Sequence, residues 1–66
     1  MNINIRKSII NNFKSSNTKE IQESIEDSIN NDEITLPGLG VFFEILWNNS
    51  NTIERNNIIN IIKKGL

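Results

Sequence analysis

LPGLGVFFEILW, residues 36–47, holds the only proline and two of the three glycines of a 66-residue chain, followed by seven residues of which Glu44 alone is charged. Three structures could use such a segment: a phosphate-cradling loop, a buried strand or a buried helix. As a strand, it would place Val41, Phe43, Ile45 and Trp47 on one face and Phe42, Glu44 and Leu46 on the other, so both faces would demand burial. No other segment alternates with period two, and a lone strand cannot satisfy its backbone hydrogen bonds. As a helix, it gathers Leu39, Phe42, Phe43, Leu46 and Trp47 into one stripe, widened by Val41 and Ile45, while Gly40, Glu44 and Asn48 make a polar seam. The helix is the consistent reading, and its apolar width makes it the centre of the fold. Pro37 suits the N1 position, because a first-turn residue has no intrahelical use for its N–H.

Helical spacing extends in both directions. Ile5, Ile9, Ile10 and Phe13 share a stripe and predict a first helix over about residues 3–14. Asn17, three residues before Glu20, has the form of a capping pair, and Ile21, Ile25 and Ile29 then recur every four residues, so a second helix is expected over 18–30. The third runs over 37–48. Asn51 and Glu54 repeat the capping pattern before an isoleucine-rich fourth helix over 51–64, which Lys63 and Lys64 complement at its negative end and Gly65 stops. The expected fold is therefore all-α, a small bundle of about four short helices in one domain spanning 1–66.

Size and composition narrow the function. A chain this short buries only about 60% of the surface its unfolded form exposes, so its own core is thin. It has no cysteine and no histidine, which removes disulfide frameworks and the common zinc sites. No apolar run has the length of a signal peptide core or a membrane helix, so a soluble, cytosolic-type protein with no membrane contact is expected. Seven basic and eight acidic side chains give a net charge of −1, which argues against a freestanding electrostatic nucleic-acid binder. Below about pH 3 the carboxylates protonate and the chain becomes cationic and self-repelling, so it should stay soluble in acid.

Each group that could carry chemistry has a plainer role. The PGLG turn could offer anion-binding amides, but it lacks the spacing and lysine of a phosphate loop, and Gly38 and Gly40 serve equally to admit a neighbouring helix. Glu44 has no histidine, cysteine or second carboxylate beside it in sequence, so it is expected to face solvent or to pair with a lysine or arginine. The acids Glu20, Glu23, Glu26, Asp27, Asp32 and Glu33 lack calcium-loop spacing and read as a solvated face. Arg6, Lys7, Lys14 and Lys19 are the nucleic-acid candidates, yet they also neutralise the acidic helix that follows them. Phe42, Phe43, Leu46 and Trp47 belong to the core by spacing, or else to a self-association surface. Because the third and fourth helices carry more apolar side chains than so small a monomer hides, a homodimer is expected. No nucleophile, base and orienting group can be assembled except from dispersed carboxylates and lysines, so no enzyme activity, cofactor, metal or small-molecule substrate is expected.

The central segment also resembles a known signature. Leu36, Pro37, Gly38, Leu39, Gly40, Val41, Phe43, Glu44 and Trp47 stand where the small acid-soluble spore protein I family has its motif, and the similarity extends from MNINIRKSIINN through IEDSI to the terminal GL. Phe42 departs from it, standing where an aliphatic residue is more usual. The resemblance implies a minor, non-enzymatic protein of the dormant spore core, made in the forespore, whose molecular mechanism is unknown. It carries over no catalytic or binding residue. The family shares a name but no sequence with the α/β-type small acid-soluble proteins that coat spore DNA, so DNA protection is not implied. A DNA-associated spore protein and a self-associating helical module stand as alternatives.

Overall fold

A computed structural model describes residues 4–31 and 33–66. Four helices form, α1 (Ile5–Phe13), α2 (Thr18–Ile29), α3 (Leu36–Asn48) and α4 (Thr52–Lys64), with a 3-10 turn at Glu33–Thr35 leading into α3. Among the described residues there is no strand. The expected start of the first helix at residue 3 lies outside the described residues.

Local chemistry sets the helix starts. Both expected capping pairs close as reciprocal boxes: the Glu20 amide donates to Asn17 Oδ1 at 2.8 Å and the Asn17 amide to Glu20 Oε1 at 3.2 Å. In α4 the Glu54 amide donates to Asn51 Oδ1 at 2.8 Å and the Asn51 amide to Glu54 Oε1 at 2.9 Å. Each box satisfies two amides that otherwise have no intrahelical partner. Asn4 caps α1 in the simpler way, accepting from the Lys7 amide at 2.8 Å. Helix α3 begins one residue earlier than expected. Leu36 is already helical because the 3-10 turn runs directly into it, and Pro37 sits in the first turn, where its missing N–H removes no helical bond. Gly65 ends α4 without a left-handed cap: its φ is −83°, and its amide donates to the Ile62 carbonyl at 3.0 Å.

α3 is the hub. α1 and α2 both pack on it, as does the 3-10 turn, and the Thr35 hydroxyl donates to the Ser28 carbonyl of α2 at 2.8 Å. The one buried side chain among the described residues is Val41 of α3, 5% exposed. The isoleucine stripe of α2 is covered only in part: Ile21 and Ile25 are half-buried, whereas Ile29 lies past the crossing and is exposed. α4 holds to the C-terminal end of α3 through Arg55, whose Nε donates to the Trp47 carbonyl at 3.0 Å and whose guanidinium carbon lies 5.1 Å from the Trp47 ring centroid. The result is open. The radius of gyration is 13.0 Å, against about 11 Å for a compact chain of this length.

Candidate functional site

The two faces of α3 are unlike. On the inner face Gly38 lies beside α1: a methyl group there would be in van der Waals contact with Ile9 Cδ1, at 3.5 Å. Phe42 meets Phe13 edge to face at 5.1 Å between centroids, a geometry the ring quadrupoles favour. Glu44 is held by Arg6, whose Nη2 donates to both carboxylate oxygens at 3.0 Å and whose Nε reaches both at 3.2 Å. Both partners remain well exposed to water, so the pair orients α1 on α3 more than it stabilises the fold.

The outer face is covered only toward its C-terminal end, where Arg55 and Ile59 of α4 approach Trp47. Leu36, Gly40, Phe43 and Trp47 follow one another at offsets of four, three and four residues, which aligns them in a single narrow stripe. Leu36 is 55% exposed, Phe43 42% and the adjoining Leu46 50%. Trp47 is half-buried, stacked on Phe43 with centroids 6.0 Å apart and covered on one side by Arg55. A side chain added at Gly40 would meet no atom within 4 Å. The stripe contains no charge.

Among the described residues, hollows open on two sides of α3. One, of about 360 Å³, opens between α1, α2 and the C-terminal half of α3 and is lined by Ile9, Ile10, Phe13, Lys14, Ile21, Ile25, Phe42, Ile45 and Leu46. The other, of about 270 Å³, lies between α3 and α4 against Phe43, Glu44, Trp47, Asn48 and Ile59. Their walls are apolar. The only ionisable groups on them are Lys14 in the first and Glu44 in the second, which is already engaged by Arg6.

Of the nucleic-acid candidates, Lys7, Lys14 and Lys19 are exposed, while Arg6 is committed to Glu44. In the acidic group, Glu20 closes the α2 capping box and Asp32 lies outside the described residues. Among the described residues no cluster of His, Cys, Asp or Glu could hold a metal ion, and no helix is long and apolar enough to cross a membrane. Sequence reasoning did not single out Arg55 as the cover of Trp47, nor the 36/40/43/47 stripe. The stripe had a readable signal, the four-three-four spacing of a helix-pairing seam, masked by the wider apolar pattern around it.

Fold and site together define a small all-α protein organised around one helix, with an apolar surface in place of a cluster of reactive groups. The chain belongs to the family described as small, acid-soluble spore protein I, whose model matches residues 3–66. It is 40% identical over 67 residues to the small, acid-soluble spore protein I of Halalkalibacterium halodurans, an alignment covering 100% of this chain and 98% of that one. Identity to the protein of the same name from Bacillus cytotoxicus is 37%, and to that of Bacillus subtilis 34%, with 96% and 94% of those chains covered. No solved structure matches the chain. Membership links the protein to the bacterial spore.

Proposed function

We infer that this chain is a non-enzymatic protein of the dormant spore core, made in the forespore, and that it works as a helical interaction module whose outer α3 face holds a protein partner. The observation that carries the reading is that face: an uncharged apolar stripe on the hub helix, largely open in a chain with one buried side chain, Val41, among its described residues. Side chains such as Leu36 and Phe43 gain little from their own fold and would each contribute about 1–2 kcal/mol on being covered by a partner. Binding to DNA is the weaker alternative, because one of its four candidate cations is paired with Glu44 and the net charge is −1.

Two measurements test this. A fluorescent fusion should appear in the forespore during sporulation, with the protein present in acid extracts of purified spores; expression confined to vegetative cells would end the assignment. A mobility-shift titration should show no salt-sensitive complex with duplex DNA. A complex formed at low salt and lost with added salt would replace the interaction reading with the DNA one.

A further inference from the structure

The outer face invites the question of what covers it. Resting on the interaction reading above, we propose that the occupant is a second copy of this chain, with α3 packed antiparallel against the partner's α3 across a two-fold axis, so that Phe43 of each copy enters the gap over Gly40 of the other.

Area is the first argument. The chain exposes 5816 Å², whereas a folded monomer of 7.6 kDa exposes about 4,300 Å². The excess, roughly 1,500 Å² over the whole chain, is more than the ~800 Å² each partner buries in a standard interface, so the chain has surface to spare for one. Register is the second. The four-three-four spacing of Leu36, Gly40, Phe43 and Trp47 is that of a seam in which side chains of one helix enter holes on another. The third is Gly40 itself. A glycine within a helix costs about 1 kcal/mol relative to alanine, and nothing in this chain requires one, since the space beside it is empty. A two-fold interface makes residue i meet j while j meets i, and with the axis passing between positions 40 and 43 the missing side chain of one copy becomes the hole for the ring of the other. Charge agrees with this direction. The seam is uncharged, and the antiparallel arrangement opposes the two helix dipoles.

Sedimentation equilibrium over a concentration series tests the proposal. The expected result is a species of twice 7.6 kDa. Gly40→Leu, which fills the hole, and Phe43→Ala, which removes the ring, should each weaken the dimer by about tenfold or more. The combined variant, with the large side chain moved from position 43 to position 40, should recover part of the loss. Because a variant could fail by misfolding, geometry is read separately. The chain has no cysteine, so Gly40→Cys and Phe43→Cys proteins mixed under mild oxidation should form a disulfide-linked mixed dimer faster than either forms its own. A chain that stays at 7.6 kDa up to millimolar concentration overturns the proposal, and so does a mixed cross-link no faster than the homotypic ones. A monomer whose outer face is covered by a different spore protein would also overturn it while leaving the interaction reading intact. A dimer formed by a chain absent from spores would uphold the pairing and end the spore assignment instead.

Discussion

The inner and outer faces of α3 are built from the same residue types but differ in what meets them. Each has a glycine, a phenylalanine and aliphatic side chains. Gly38 lies against Ile9, and Phe42 against Phe13, whereas Gly40 and Phe43 face outward. Apolar character therefore identifies what a helix must bury and leaves open whether its own chain does the burying. A short chain makes the distinction acute, because α1 and α2 together have width enough for only one side of a helix as apolar as α3.

The contrast can be broken most severely at its centre. Val41→Asp, which puts a charge in the one buried position among the described residues, should cost about 3 kcal/mol or more and leave the chain largely unfolded by far-ultraviolet circular dichroism. Phe13→Ala removes the edge-to-face partner of Phe42 and should cost about 2–3 kcal/mol in urea unfolding followed by Trp47 fluorescence. Asn51→Ala opens the α4 capping box and should cost about 1 kcal/mol, read as increased amide exchange in α4 with α1 to α3 unchanged. Smallest of all, Glu44→Gln should change stability by no more than about 0.5 kcal/mol, since the Arg6 pair is exposed. A loss from Glu44→Gln as large as that from Phe13→Ala would mean that the ion pair, rather than packing, decides which face is inner.

Much of this was legible in the sequence, and the reason is range. Helix identities rest on spacings of three and four residues and on caps three residues apart, so Asn17 with Glu20 and Asn51 with Glu54 could be read directly. Asn4 carried the same signal and passed unnoticed because no acid follows it at the third position. The 3-10 turn at Glu33–Thr35 and the helical Leu36 were not legible, since the ordinary preference of a residue before proline is overridden by the turn that feeds the helix. For Glu44 the sequence left two outcomes open, a solvent-facing position or a lysine or arginine partner. That it is Arg6, 38 residues away, required the crossing of α1 over α3.

By itself, then, the sequence determined four helices, their caps, the apolar breadth of residues 36–47 and the family motif, all matters of short-range hydrogen bonding and periodicity. Tertiary structure decided the rest. It set Gly38 beside Ile9 of α1, gave Glu44 its arginine, left Gly40 open, and divided a helix that is apolar on both sides into a covered half and a largely uncovered one. The physical reason is that burial depends on how many helices can reach a given face at once, a property of their crossing that no local spacing encodes.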